Sequence, residues 1–444
     1  MNLSKFILIV IWLLVVPLSR IGYSAEQLGK RILLDNGMVL LLAEKHELPV
    51  VTINMAIMAG KIAEPVDKPG LAAITASLLT QGTAKRTAQT ISREIDFVGG
   101  SLSTMAGDDY ASASLQVLKK DIRLGLDLLS DVLLEPVFEQ KEIDRKVKET
   151  LAEIQRQKEE PRVVAANAFD KLIFGENAYG RTNDDVASYL PKLTREDILA
   201  YYRMRYNPNT TIIAVVGDVR EQEIIALLNE YFKSWKPQDN PMPAPVQPPV
   251  IEKTIVKKID KIVTQANIAM GHLGISRENP DFYACQVMNY ILGGGGFSSR
   301  LMDNIRDNKG LAYDVHSGFL AQKYPGAFKV SIQTKNESAN EVIAETIKEI
   351  RRIQTTLVSE KEISDAKAYL TGSFPLRLDT SAKVASILTS IEIYNLGLDY
   401  PQKYQDLINA ITREDVQRVA QKYLHQDNMM IVVVADQKKA KLNY

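Results

Sequence analysis

A single cysteine, Cys285, stands in 444 residues. An intrachain disulfide is therefore excluded, and stability has to come from buried apolar surface. Cys285 itself reads as a small buried group on a helix. Histidine is almost as scarce: His46, His272, His316 and His425 lie in four separate segments. A helix grips a metal with two imidazoles only when they are three or four residues apart, and no pair here has that spacing. His46-Glu47 lacks the second histidine that would complete a zincin motif. There is no G-x-S-x-G elbow, no Lys-Ser/Thr after a glycine run to hold a phosphate, and no dinucleotide fingerprint. Net charge is absent as well, with 54 basic and 54 acidic residues. That removes any general attraction to nucleic acid or to an anionic membrane surface.

What is present is ordinary globular composition, 45% hydrophobic and 24% charged. The chain is too long for one core and fits two to three domains. Residues 1–25 differ from the rest. Lys5 precedes a run from Phe6 to Leu18 that is apolar apart from Pro17, followed by Gly22-Tyr23-Ser24-Ala25. A charged start, a short apolar stretch and small residues near its end read as a cleavable export signal, cut after Ser24 or Ala25. A spanning helix needs roughly 20 apolar residues, so a retained anchor is the lesser reading. The expected location is the periplasm, with no stable membrane insertion once the signal is removed.

An internal repeat organises the remainder. Leu193-Thr-Arg-Glu-Asp-Ile198 recurs as Ile411-Thr-Arg-Glu-Asp-Val416, and the register then holds without a gap. Ile212-Ile-Ala-Val-Val-Gly-Asp218 matches Met430-Ile-Val-Val-Val-Ala-Asp436. Each copy reads as a threonine-capped helix followed by a buried β-branched strand. Weaker echoes pair Lys141-Glu142-Ile143 with Lys361-Glu362-Ile363, and the strand Val51–Met58 with Gln265–Met270. Between the copies, residues 236–249 hold six prolines in 14 positions, an extended semi-rigid spacer in preference to a recognition tract. The expected organisation is a signal (1–25), a first domain (26–235), a proline-rich linker (236–250) and a second domain (251–444).

Within the first half, residues 31–60 read as two strands around a turn at Glu44–Leu48. Helices are expected at about 68–80 and 87–97, the second stopped by Gly99-Gly100. A hairpin follows across Gly107-Asp108, from Ser101–Met105 to Tyr110–Leu118. A long helix is expected over about 139–158, with Ile143, Val147, Leu151 and Ile154 buried and Glu142 paired to Lys146. Hairpins with helices along one face make the expected class α+β, two tandem homologous α/β sandwiches.

The most informative stretch is Leu292–Gly318, LGGGGFSSRLMDNIRDNKGLAYDVHSG. It sets Gly293, Gly294, Gly295 and Gly296 between a helical segment and a second helix of about Ser298–Asp307. Gly310 follows, and Tyr313 opens a strand. Arg306 and Tyr313, seven residues apart, can then aim at one place from a helix end and a strand start. The glycine run has two readings that stand level: a flexible connection, or a mobile loop whose bare backbone meets an extended peptide.

Together these features resemble the pitrilysin-type (M16) metallopeptidase family, which includes the mitochondrial processing peptidase subunits and respiratory-complex core proteins. The resemblance spans the whole mature chain and implies the processing-peptidase-like metallohydrolase fold. In that family an Arg followed seven residues later by a Tyr in the second half binds the substrate backbone and helps stabilise the oxyanion, and here it stands as IRDNKGLAY. The family's other signature, H-x-x-E-H, places two zinc-binding imidazoles on one helix face with a glutamate to deprotonate the metal's water. Gly70-Leu71-Ala72 matches its approach, but Ala73, Ala76 and Ser77 occupy the ligand and base positions. The third family ligand has a counterpart in Glu153, which without partners reads as an exposed helix residue. His316 either borders the substrate groove or is an ordinary strand histidine.

The resemblance implies a chain that binds no zinc of its own. It would be the substrate-binding, non-catalytic subunit of a heterodimer whose other chain carries H-x-x-E-H and the zinc, acting on peptides or unfolded segments. A non-enzymatic peptide-binding or scaffold protein, like the respiratory core subunits, is the alternative.

Overall fold

The computed structural model describes residues 27–444; the export signal expected over 1–25 lies outside them. Among the described residues eleven strands form two sheets. The first half contributes β1 (Lys30–Leu33), β2 (Val39–Glu44), β3 (Val50–Ile57), β4 (Ser101–Ala106), β5 (Ala111–Leu118) and β6 (Thr211–Gly217). The second contributes β7 (Ile255–Asp260), β8 (Gln265–Leu273), β9 (Ala312–Phe319), β10 (Ala327–Lys335) and β11 (Met430–Ala435). The sheet orders are β1-β2-β6-β3-β5-β4 and β7-β11-β8-β10-β9. With β1 set aside the two orders are the same, strand for strand. In each the last strand of the half inserts between two earlier ones, parallel to the one before it in the order (β2 with β6, β7 with β11) and antiparallel to the next (β3, β8). The α+β class and the duplication are both seen in the fold.

The repeated sequences fold alike for a local reason. Thr194 and Thr412 each open a helix, Arg195–Arg205 and Arg413–Tyr423, with a capping box closed by Asp197 and Asp415. Such a cap satisfies backbone N–H groups that the first turn leaves open and contributes about 1 kcal/mol.

Strands β6 and β11 are buried along their whole length, which requires cover on both faces of each sheet. One face packs on the half's own helices. The other is covered by a helix lent from the opposite half. Helix Pro161–Phe174 lays Ala165, Phe169 and Ile173 over Ala269, Met430, Val432 and Val434 of the second sheet. Helix Ser381–Ile393 lays Val384, Ala385 and Leu388 over Ala56, Ala214 and Val216 of the first. The halves therefore exchange one helix each and do not close their cores separately.

Two further devices lock them. The β4–β5 turn carries a buried Asp109 that accepts hydrogen bonds from Tyr179 Oη (2.5 Å), Tyr394 Oη (3.0 Å) and the Lys323 backbone N–H (3.0 Å), the last from the β9–β10 connection. The proline-rich segment is held at three points: Asn209 exchanges bonds with the Gln238 backbone, Arg205 donates to the Pro241 carbonyl at 3.0 Å, and Asn177 donates to that of Val246. It is extended, but strapped to the first half.

Several local expectations are corrected. Residues 31–60 hold three strands, because Asp35-Asn36-Gly37, with Gly37 at φ 86°, turns β1 into β2. The short exposed β1 carries too little apolar pattern to stand out. The helices are shorter or shifted by a residue or two, at Leu71–Leu78, Ala88–Phe97 and Gln140–Gln157. On the last, Ile143 and Ile154 are buried and Val147 and Leu151 only partly so. Glu142 pairs with Arg145 at 2.8 Å, while Lys146 turns to Glu149 at 3.4 Å.

Candidate functional site

The helix Leu71–Leu78 starts at Gly70, whose φ of 88° suits a residue without a side chain. Its first turn is held by Glu64, which accepts from the Ala72 N–H at 2.8 Å and is bound by Arg181 at 2.6 Å. Burial raises the Glu64 carboxyl above its ordinary pKa, and the Arg181 charge works against that rise. Ala73 is exposed and Ser77 half-buried; both line a cleft of about 590 Å³. Glu149 and Glu153, from helix Gln140–Gln157, line the opposite side. Ala76 turns into the core.

Three predicted positions thus meet at one cleft, but their chemistry does not fit zinc. Ala73 offers a methyl group, and the Ser77 hydroxyl donates to the Ile74 carbonyl at 2.8 Å. Both oxygens of Glu153 accept from Arg156, at 2.9 and 2.6 Å, and one also accepts from Gln157 at 2.7 Å. These bonds, Arg156 first, hold the Glu153 carboxyl down at about 2. No three His, Cys, Asp or Glu side chains among the described residues are grouped to hold a metal ion. A catalytic zinc needs three protein ligands and an open position.

The second candidate region lies at the corresponding place in the other half. Helix Phe282–Asn289 continues into a π-helical turn, Tyr290–Gly294. Gly293 and Gly294 therefore end this helix, and only Gly295 and Gly296 connect onward. A Cβ at Gly293 would lie 2.5 Å from Ser317 Oγ and 2.7 Å from a Leu301 methyl, so close packing against β9 demands glycine there. Gly296 has φ +58° with open space around it. The expected helix Ser298–Asp307 begins two residues later, at Arg300, and is π-helical over Met302–Asn308. Residues 296–298 form a separate 3₁₀ turn. Wide turns of this kind recur at functional sites and are set by hydrogen-bond register, to which composition is blind.

This helix is tied down along its length. Arg300 makes a two-pronged pair with Glu362 (2.6 and 3.1 Å), and Asn304 donates to Glu345 and Glu349, each at 3.0 Å. Gly310 N–H bonds to the Arg306 carbonyl and Leu311 N–H to that of Ile305, both at 2.9 Å, closing a tight turn into β9. The Arg306 guanidinium sits 4.7 Å from the centre of the Phe297 ring, which is 68% exposed. Tyr313 is 50% exposed. Ala312 opposes Thr334 and Asp314 opposes Gln333, so Tyr313 is an extra residue in a β-bulge on an edge strand. Bulges re-aim a side chain out of the regular pleat. Arg306 and Tyr313 thus flank one turn, with Phe297 against Arg306.

Sequence reading missed Glu64 with Arg181, the Arg300–Glu362 clasp and the stacking of Phe297 on Arg306. The first pair spans 117 residues, and no local spacing could have joined it. Phe297, directly after the glycines, was visible as an apolar residue in a polar turn.

Known proteins agree with this architecture. The family description "Insulinase (Peptidase family M16)" matches residues 39–183, and "Peptidase M16 inactive domain" matches residues 192–370. The chain belongs to the M16 peptidase family. An uncharacterized zinc protease of Streptomyces coelicolor is 27% identical over 355 residues, covering 78% of this chain and 76% of that protein. A probable mitochondrial-processing peptidase subunit beta of Arabidopsis thaliana is 24% identical, covering 90% and 77%. A peptidase M16 inactive domain from Pseudomonas fluorescens superposes with a TM-score of 0.85 at 27% identity, covering 92% of this chain and 98% of that one. The periplasmic protease PqqL from Escherichia coli shares the fold at TM-score 0.78 and 17% identity; this chain covers 46% of it. No helix among the described residues is long and apolar enough to cross a membrane.

Proposed function

We propose that this chain is the substrate-binding, non-catalytic subunit of a two-chain M16 zinc peptidase acting on peptides or unfolded segments in the periplasm. The observation that carries this reading is the contrast between the two sites. The cleft at Ala73 and Ser77 holds no metal ligand set, while Tyr313 stands exposed and Arg306 half-buried beside a helix fixed by partly buried polar clasps. A partner with H-x-x-E-H supplies the zinc, its bound water and the general base. From this chain, Tyr313 donates a hydrogen bond to the oxyanion that develops on the scissile carbonyl, and Arg306 holds a neighbouring carbonyl of the extended substrate. Gly295 and Gly296 let backbone approach the peptide without side-chain obstruction.

The test is reconstitution. The purified chain alone is expected to hydrolyse no peptide and to retain no stoichiometric zinc. Adding an M16 chain that carries H-x-x-E-H restores zinc-dependent cleavage above that chain's own rate. Zinc-dependent cleavage by the lone chain would sink the proposal, and a stable pair with no gain in activity would favour the scaffold alternative.

A further inference from the structure

Beyond Tyr313 the face of the second sheet opens into a cavity of about 270 Å³ that the proposed chemistry does not use. Its floor is set by strand register. Asp314 lies opposite Gln333, which lies opposite Asn267; His316 lies opposite Ser331; and Gly318 lies opposite Lys329. Alternation puts all of these on the face away from the half's own helices. The wall is the lent helix Pro161–Phe174, which brings Arg162.

The charges here are unevenly satisfied. Asp314 is held by His316 Nδ1 at 2.9 Å. Lys329, only 15% exposed, reaches one carboxylate among the described residues, Asp170, at a long 3.4 Å and rests 5.0 Å from the centre of the Phe169 ring. Asp170 is not among the lining residues, and Arg162 has no ion pair among the described residues. Two cations with spare donors, beside the amides of Asn267 and Gln333, therefore face a cavity whose single lining carboxylate is already engaged. Gly318 leaves the floor bare: a Cβ there would meet nothing within 4 Å.

We infer that this cavity is a carboxylate-binding subsite, with Arg162 and Lys329 as the charge-bearing donors and the lent helix as its wall. His316 stands three residues along β9 from Tyr313, about 10 Å at the strand's rise. A peptide lying over Tyr313 can therefore place a carboxylate in the cavity, either its C-terminal group or a Glu or Asp side chain. That use rests on the proposed function; the binding of a carboxylate does not.

The test uses the full-length chain and an acetylated dialanine with a free C-terminal carboxylate, set against its C-terminal amide. The His316 ring signals, assigned with His316→Gln, are followed by NMR. The acid is expected to shift them saturably and the amide not. Gly318→Leu, which fills the cavity from an unstrained position, should abolish the shift. Arg162→Gln, on an exposed position, should weaken binding about tenfold or more, as expected for a charge-assisted hydrogen bond. An acetylated peptide amide carrying one internal Glu reports whether a side chain serves as well as a terminus. Equal responses to acid and amide, no response to either, or an acid response unchanged in Gly318→Leu would each overturn the subsite while leaving the two-chain proposal standing.

Discussion

The helices Leu71–Leu78 and Phe282–Asn289 occupy related places in two copies of one design, and the sites they lead into differ in opposite senses. The first presents a methyl group and a self-bonded hydroxyl to its cleft, and the carboxylate across from them is neutralised by a neighbouring arginine. The second site keeps a half-buried cation and an exposed phenol, and its helix is anchored by Arg300–Glu362 and Asn304. Loss of function is cheap on an exposed helix face, because replacing a histidine by alanine there breaks no packing. Retention is informative, since an exposed tyrosine on a bulge and an arginine stacked on an exposed ring add little to stability. The lesson is that the scaffold is the same in both halves, and the proposed function accounts for the difference between the polar groups the two sites present.

The largest effect that could break this comparison is a metal graft. Ala73→His with Ser77→His sets two imidazoles at i and i+4 on the cleft side of the helix. Glu153 remains tied to Arg156, so the pair alone is expected to bind zinc weakly. Adding Arg156→Ala releases the third ligand, and metal analysis after dialysis should rise from none to about one zinc per chain. Equal zinc content with and without Arg156→Ala would show that Glu153 is not held back as described.

Next in size is the helix exchange. Phe169→Ala removes a fully buried ring from the helix lent to the second sheet and should cost about 3–5 kcal/mol. Leu388→Ala in the reciprocal helix should cost about 2–5 kcal/mol. Because the halves share their cores, both variants should shift a single denaturant transition. Two separated transitions would mean that each half folds alone.

A smaller effect distinguishes the halves by pH. At the position corresponding to Ile57 of β3, strand β8 carries His272, buried against Phe328 and His425. Its Nε2 accepts from the His425 backbone N–H at 3.0 Å and its Nδ1 meets the Leu273 carbonyl at 2.9 Å, which fixes a neutral ring. Burial lowers its pKa from 6.5 to about 4. The unfolded chain therefore takes up a proton that the folded chain refuses as pH falls from 6.5 to about 4. Stability is full above that window and drops through it by up to about 3 kcal/mol. Urea unfolding of His272→Phe should show a flatter dependence on pH over the same range, and an unchanged slope would remove His272 as the cause.

Much of this was legible in the sequence. The Thr-Arg-Glu-Asp repeat marked both threonine-capped helices and the buried strands β6 and β11 that follow them. The missing ligands were plain because Gly70-Leu71-Ala72 aligned around them. What stayed hidden depends on distance along the chain or on register. The apolar stripe of helix Pro161–Phe174 says that it is buried, not that it is buried on the other half's sheet. Asp109 meets Tyr179 and Tyr394 from 70 and 285 residues away. The two π turns beside the glycine run change hydrogen-bond partners without changing composition, so Gly293 and Gly294 read as a loop when they end a helix. The bulge at Tyr313 was invisible for the same reason.

The central claim is that Tyr313 donates to the oxyanion of a reaction whose metal is held by another chain. The most direct measurement is the rate of peptide cleavage by a reconstituted pair in which this subunit carries Tyr313→Phe. Loss of one preorganised donor to an oxyanion predicts a fall in kcat of about 10²–10³, with KM and the affinity between subunits unchanged. A pair that assembles normally and cleaves at the unaltered rate would contradict the account.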